Sequence, residues 1–422
     1  MNLQAIRMTY GLFLFFSMGW GSPSLLFPER FGKMQHGKER TVDGMRDSGN
    51  GRMALHRWTL LGVILLLTAL LLPAHAETTA MIADLHLTAD PDEFAGTLGA
   101  IEQIAAEADG LIFLGDNTNN GRLEEHSVFL SWLDTLEKKT GKPVYVIPGN
   151  HDLTGDTSPA VFAARYARFG REDAFEKDPE SASYAVMTPG GSCLLMLDTN
   201  AYDPSSRMTE YGETSRDLVV WAEGVLKNLP EGTDVIACGH YPLFPFGDGR
   251  DSTRNAQQMA AVLETYGVRV YFCGHRHNNY TLSSDGLRQI NIGVPTSYPA
   301  WAGTVTREGE NWHYRVEPLY DPQGSTWLEM QQGARMLGER MASGSLEGTA
   351  YEGDEEAIAW FTEAFMAELD SSIGRRSAEF LAQPGCEKWR KAAVRAVTRE
   401  WILGVLESEP EDVQDLLIPL HP

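Results

Sequence analysis

Five short blocks carry side chains suited to hold a cation: Asp84-x-His86, Gly115-Asp116, Gly149-Asn150-His151-Asp152, Gly239-His240 and Gly274-His275-x-His277. Every named side chain among them except Asn150 and the glycines is ionisable. Imidazole nitrogen mixed with carboxylate oxygen suits Mn, Fe, Zn or Ni better than Ca or Mg alone. None of the blocks contains cysteine, so a structural zinc site is not indicated. Residues 77–422 hold eight histidines, and five of them fall in these blocks. Core histidines scattered along a chain would not gather in this way; His126, His313 and His421 read as structural or surface residues.

Each block stands at the end of an apolar run. Thr79–Ala83 precedes Asp84, Leu111–Leu114 precedes Gly115, and Val144–Ile147 precedes the Pro148 before Gly149. Val235–Cys238 leads to Gly239, and Val268–Cys273 to Gly274. Helical spacing of apolar residues occupies 92–107, 123–138, 158–169, 215–228 and 255–265. A strand pair is expected at 182–187 and 193–197. Later strands are expected at Leu287–Ile292, Gly303–Arg307 and His313–Val316. Strands that alternate with helices imply parallel pairing and an α/β sheet. Ligands collect at the carboxyl ends of such strands, where all five blocks lie. Glycine ahead of Asp116, Asn150, His240 and His275 is expected to let the backbone turn sharply off the strand.

In this order and at these strand ends, the five blocks resemble the calcineurin-like metallophosphoesterase superfamily, over roughly residues 79–320. A lone D-x-H or GH pair would mean nothing; five in sequence are specific. The resemblance implies an α/β fold, a four-layer α/β/β/α sandwich of two mixed sheets between helices. It also implies two divalent transition metals (Mn, Fe or Zn). One would take Asp84, His86 and His277, the other Asn150, His240 and His275, with Asp116 bridging them. The reaction implied is hydrolysis of a phosphate mono- or diester. A metal-bound hydroxide attacks in line, His151 acts as general acid and Asp152 orients His151. Two carboxylates against two divalent ions leave the site positive inside an acidic chain, a place for a phosphate dianion.

The chain departs from some branches of that superfamily. Purple acid phosphatases put glycine where His86 stands and a tyrosine ligand after the GD block, where this chain has Asn117-Thr118-Asn119-Asn120. That subtype is disfavoured. The arginine that follows GD in Ser/Thr protein phosphatases is matched only loosely, by Arg122. The pattern looks closer to the bacterial cyclic-nucleotide phosphodiesterase-like and phosphohydrolase branch. Two other readings stand beside it: a sphingomyelinase-like diesterase acting on membrane lipid, and a non-catalytic phosphate-binding module of the same fold. Intact ligands and His151 argue against the second.

Several residues near the blocks keep two readings. Asp198 supports the site or makes a turn. Asn119 and Asn120 contact phosphate or make a turn. Arg276 clamps phosphate or points away. Tyr241, Phe244, Phe246, Tyr298 and Trp301 wall a substrate pocket or pack as ordinary loop aromatics.

The formal net charge is −23 over 422 residues. Residues 77–422 alone hold 27 basic and 54 acidic groups. Such a chain has no general attraction to nucleic acid or anionic membrane, so a small phosphate ester is the expected partner and a nucleic-acid polymer is not. The four cysteines form no C-x-x-C pair; Cys193, Cys238 and Cys273 are expected to pack as small hydrophobes.

Residues 53–76 read as a signal peptide. Met53–Arg57 is a basic start, Thr59–Leu72 an apolar run and Pro73-Ala74-His75-Ala76 an A-x-A site. The run is short for a bilayer span, which needs about 20 residues. Cleavage after Ala76 and an extracytoplasmic location (secreted or periplasmic) are expected, with membrane contact only transient unless the segment stays uncleaved. Residues 1–52 are expected to be a non-native or disordered extension upstream of the true start at Met53; the other reading is a cytosolic tail before an uncleaved anchor.

The catalytic domain is expected to span 77–322 and an all-helical region 323–422. After Pro322 the pattern is helix only. Thr326-x-x-Glu329 reads as a capping box. Ile358, Phe361, Phe365 and Leu369 line one face, and Trp389, Ala393, Val397, Trp401 and Val405 recur every four residues on another.

Overall fold

The computed structural model describes residues 77–153, 157–201, 211–245, 253–284, 286–393, 396–408 and 411–421. The extension at 1–52, the signal segment at 53–76 and Phe246 lie outside them. Among the described residues, no helix is long and apolar enough to cross a membrane.

The predicted alternation of strand and helix is present. The first half runs β1 (Thr78–Ile82), α1 (Ala95–Glu107), β2 (Gly110–Phe113), α2 (Leu123–Thr140), β3 (Val144–Val146) and α3 (Pro159–Arg165). β1, β2 and β3 pair in parallel. They are short because each is buried on both faces and stops where its polar block begins. A hairpin side follows: β4 (Glu176–Lys177), β5 (Tyr184–Met187) and β6 (Cys193–Leu197). Then come α4 (Arg216–Asn228), β7 (Val235–Gly239), α5 (Ala256–Thr265), β8 (Val270–Cys273), β9 (Tyr280–Ser284), β10 (Leu287–Asn291), β11 (Trp301–Glu308) and β12 (Asn311–Pro318). The segment expected to be helical over 158–169 divides: α3 ends at Arg165, and a wide turn over Ala167–Arg171 follows, with Gly170 at φ 96°.

Two mixed sheets result. One has the order β14-β12-β11-β1-β2-β3, the other β13-β9-β10-β8-β7-β6-β5-β4, where β13 is Glu411–Asp412 and β14 Asp415–Pro419. The period-2 alternation of strand side chains builds three apolar layers. Ala80, Ile82, Leu111 and Phe113 face outward, onto Ile101, Phe129 and Leu133 of α1 and α2. Met81, Ile112 and Leu114 face inward and meet Leu194, Met196, Ile236 and Phe272 of the other sheet. Cys193, Leu195 and Ala237 turn to the opposite side, onto Leu218, Met259 and Leu263 of α4 and α5. This is the expected α/β/β/α sandwich. Each fully buried Leu, Met or Phe in it contributes about 1.5–3 kcal/mol. All four cysteines are buried and free, as three of them were expected to be.

The region after Pro322 holds helices, but not helices alone. α6 (Ser325–Leu346), α7 (Glu355–Leu369), α8 (Ile373–Leu381), α9 (Pro384–Lys391) and α10 (Ala396–Glu407) enclose a fourth core. Ala342, Phe361, Phe365, Phe380, Trp389 and Ile402 lie in it, with Tyr280 of β9. The chain then returns to β structure. β13 pairs with β9, and β14 with β12, so one stretch closes an edge of each sheet. The expectation of helix only is corrected there. Ile418 and Leu420 have sheet-core partners that no helical periodicity reveals. The Thr326 capping box is also corrected, since Gly324 is the N-cap of α6 and no side chain caps it. The four-residue repeat from Trp389 to Val405 does not form one face: Trp389 is in α9, Ala393 between the helices, and Val397, Trp401 and Val405 in α10.

Candidate metal centre

The polar ends of β1, β2 and β3 in one sheet and of β7 and β8 in the other meet at one place. All seven expected ligands are there. Asp84, His86 and His277 form one group, and Asp116, His240 and His275 another; within each, potential ligand atoms lie within 4.8 Å of one another. His86 Nε2 is 3.1 Å from His277 Nε2, and His277 Nε2 is 3.5 Å from Asp84 Oδ1. In the second group, His240 Nε2 is 3.1 Å from Asn150 Oδ1, and His275 Nδ1 is 3.2 Å from the same oxygen. Asp116 stands between: its Oδ2 is 3.3 Å from His240 Nε2 and 3.7 Å from His86 Nε2.

The backbone aims these side chains in an unusual way. Asp84 (φ 55°), His86 (48°), Asp116 (51°), His275 (71°) and His277 (59°) are all left-handed without being glycine. That conformation is uncommon for such residues and clusters at functional sites. The turn off the strand is therefore made by the ligands themselves. Of the preceding glycines, only Gly115 has positive φ. The others are required by space: a Cβ on Gly149 would sit 2.1 Å from Asp116 Oδ1, on Gly239 2.1 Å from the Tyr271 hydroxyl, and on Gly274 2.6 Å from Asp84 Oδ2. The expectation that these glycines serve the turn is corrected on that ground.

Outer partners fix some of the ligands, while His86 Nδ1 is buried without one. The His275 N–H donates to both Asp84 oxygens, at 3.1 and 3.0 Å. His240 Nδ1 lies 2.9 Å from the Leu114 carbonyl oxygen, to which it can only donate, so Nε2 is the nitrogen left to face a cation. Thr199 Oγ1 accepts from the N–H groups of His240 and Tyr241, at 3.2 and 3.0 Å. Thr199 was not singled out from sequence; its only signal is its place directly after β6, beside Asp198. Asp198 itself takes the turn reading, accepting from Asn200 and from the Ala182 N–H.

The electrostatics suit cation binding. Burial, helped by His151, holds His86 well below the usual histidine range. Burial and then His240 hold His275 down to about 3. Both are thus neutral, the form a metal requires. Burial also opposes charge on His240, but Asp116 outweighs it and holds that imidazole up to about 9. Asp116 is likewise opposed by burial, yet His240 and His151 keep it well below the usual carboxylate range. The donor set of imidazoles, carboxylates and one amide oxygen fits two transition-metal ions, provided that His240 gives up its extra proton when an ion binds.

His151 sits at the mouth, with its side chain 27% exposed and Nε2 3.9 Å from Asp116 Oδ2. Its backbone N–H donates to Asp116 Oδ1 at 2.8 Å. Its Nδ1 is 2.7 Å from the Asn119 carbonyl oxygen, and it is this carbonyl that orients the ring. Asp152 does not take that part. Its fully buried carboxylate accepts from the N–H groups of Gly149, Asn117 and Thr118, from Asn117 Nδ2 and from the Thr118 hydroxyl, all at 2.8–3.1 Å. It ties the β2 loop to the β3 loop. The reason is hydrogen bonding: both oxygens of the Asp152 carboxylate are taken by those converging donors.

The remaining candidates divide. Asn119 contributes through its backbone, and Asn120 bonds the Glu125 carboxylate at the start of α2. Arg122 is exposed at the N-cap of α2. Tyr241 lies against His275, ring centroids 4.1 Å apart. Phe244 packs on the α4–α5 side and Tyr298 against Trp327 of α6, both as ordinary packing. Arg276 points away from the ligands toward Glu368. His126 bonds the Tyr166 hydroxyl, His313 joins Glu308 and Asp415, and His421 is exposed.

Fold and candidate ligand groups together are of phosphoesterase type, and comparison with known proteins agrees. Residues 78–279 match the family model of the calcineurin-like phosphoesterases. Human tartrate-resistant acid phosphatase type 5 is 26% identical over 269 residues, covering 56% of this chain and 79% of that protein. A 3′,5′-cyclic-nucleotide phosphodiesterase of Nostoc sp. is 25% identical over 217 residues, covering 48% and 71%. The 3′,5′-cyclic adenosine monophosphate phosphodiesterase of Escherichia coli strain K12 is 26% identical over 262 residues, covering 54% and 86%. Residues 78–279 are thus a calcineurin-like phosphoesterase domain, and the relatives it matches are hydrolases.

Proposed function

We propose that this chain is an exported hydrolase of small phosphate mono- or diesters that uses two metal ions and His151 as general acid. The observation that carries the reading is the meeting of seven ligand-type side chains at five strand ends, with the partly exposed His151 imidazole at the mouth. Asp84, His86 and His277 would hold one ion and Asn150, His240 and His275 the other, with Asp116 touching both. When bound, the ions supply positive charge for the phosphate and an activated water for in-line displacement.

The chain's own residues do the rest. Because Nδ1 of His151 is committed to the Asn119 carbonyl, Nε2 is the atom that exchanges protons. It can give one to the leaving oxygen as the ester bond breaks. Asp116 holds the His151 backbone, so the acid and the ligands keep one spacing. Asp152 is a positioning residue: it locks the two loops that carry Asp116 and His151.

The direct test is turnover of aryl phosphomonoester and diester by purified protein loaded with Mn. Hydrolysis of either, abolished by chelation and restored by Mn, is expected. Silence on both in fully loaded protein would overturn the reading in favour of a binding module. Export through residues 53–76 is tested by sequencing the N-terminus of the native protein, expected near Glu77.

A further inference from the structure

The loop Gly274–Asn279 gives His275 to one ligand group and His277 to the other, and both residues are in left-handed conformation. Strained residues persist only where their surroundings over-determine them. Beside the Asn291 side chain of β10, which donates to the Asn278 carbonyl at 2.6 Å, the region after Pro322 supplies several contacts to this loop. Arg276 Nη2 is 3.8 Å from Glu368 Oε1, with side chains 9% and 5% exposed. Asn278 Nδ2 is 3.4 Å from the same oxygen. Asn279 Nδ2 donates to the Val413 carbonyl, while its Oδ1 accepts from Tyr314 at 2.7 Å.

Glu368 lies in α7, within a segment whose neighbours Phe361, Phe365 and Ala367 are buried and apolar. A carboxylate there is costly, and an apolar side chain of like volume would pack as well or better. Burial pushes its carboxyl up to about 7 against the pull of Arg276. Simple docking of α7 does not call for such a residue; fixing the position of a charged loop does.

We propose that Glu368 is a positioning residue for the metal centre, acting through Arg276 and Asn278 to hold His275 and His277 at their spacing. The helical region is thereby part of the site's framework and not an appendage to it. The inference rests on the two-ion reading above.

The test is Mn binding by metal-free protein, followed by calorimetry and by the electron paramagnetic resonance signal of the Mn pair. Parent, Glu368→Gln, Glu368→Asp and Glu368→Gln/Arg276→Met are compared, with circular dichroism as the check on folding. Loss of an outer-shell partner typically weakens metal affinity about 10–100-fold. About tenfold weaker Mn binding is expected for Glu368→Gln, with partial recovery in Glu368→Asp and an altered pair signal. The double variant removes the buried carboxyl and the guanidinium together, so it reports even if the single change unfolds the protein; it is expected to bind Mn as weakly as Glu368→Gln. Unchanged affinity and signal in a folded Glu368→Gln or in the double variant would overturn the inference alone. A parent chain that takes up no Mn would overturn it together with the proposed function.

Discussion

Asp116 and His151 occupy opposite ends of one chain of contacts, and their substitutions should separate binding from chemistry. Asp116 Oδ2 lies near ligands of both groups, 3.7 Å from His86 Nε2 and 3.3 Å from His240 Nε2. Asp116→Asn should therefore lose both ions, and turnover should fall about a thousandfold or more, since metal catalysis supplies several kcal/mol; metal analysis of the purified variant checks this. His151→Ala removes no ligand. It should keep its metal while kcat falls about 10²–10⁴-fold on alkyl esters. The loss should shrink on nitroaryl esters, whose leaving oxygen needs no proton. An equal loss on both substrates would contradict the role of acid. The candidate ligands were legible in the sequence because metal ligation demands particular atoms. The work of Asn119 was not, because it is done by a backbone carbonyl. The work of Thr199 was hidden as well, since a hydroxyl that receives two backbone N–H groups looks like any other threonine.

At the scale of the element, the site depends on loops that pass one another with no spare volume. Gly149→Ala would drive a methyl into Asp116. Destabilisation of about 1–3 kcal/mol is expected from overpacking, read as a lowered Tm, together with weaker Mn uptake. Gly141→Ala makes the contrast. It caps α2 at φ 66° with open space around it, so it should cost about 1 kcal/mol of stability and leave metal uptake untouched. The strands of the two central layers were legible because burial on both faces produces continuous apolar runs. β9 and β13 were not. Thr281, Ser283 and Ser284 break the apolar pattern of β9, and Glu411–Asp412 has none. Their pairing is decided by partners far away in the chain.

At the scale of the whole molecule, the late strands join what the sequence pattern separates into a catalytic domain and a helical one. His313 of β12 bridges Glu308 and Asp415, which ties β14 to its neighbours. Hydrogen bonds to Glu308 and then Asp415 raise its pKa above the ordinary histidine value. The folded pKa thus exceeds the unfolded one. The stabilisation is complete below about 6.5 and is lost as pH rises through the raised value. The parent's Tm should accordingly lose, across that window, a component that His313→Gln lacks. Removal of residues 411–422 should expose an edge of each sheet and lower Tm further than any single change named here, as thermal unfolding would show.

This arrangement also sets an order in time. β1, which carries Asp84 and His86, is hydrogen-bonded to β11 and β2, and the loop with His275 and His277 is held by Glu368 and Val413. A ribosome delivers Asp84 more than three hundred residues before Val413. Even the last candidate ligand, His277, is made more than a hundred residues before Val413, so the complete set precedes the contacts that hold its loop. A chain stalled before residue 368 should bind Mn weakly and be cut readily by protease, whereas the released chain should resist. Metal acquisition would then be the last event of folding, and the compartment in which the C-terminal strands close would decide which metal the centre receives.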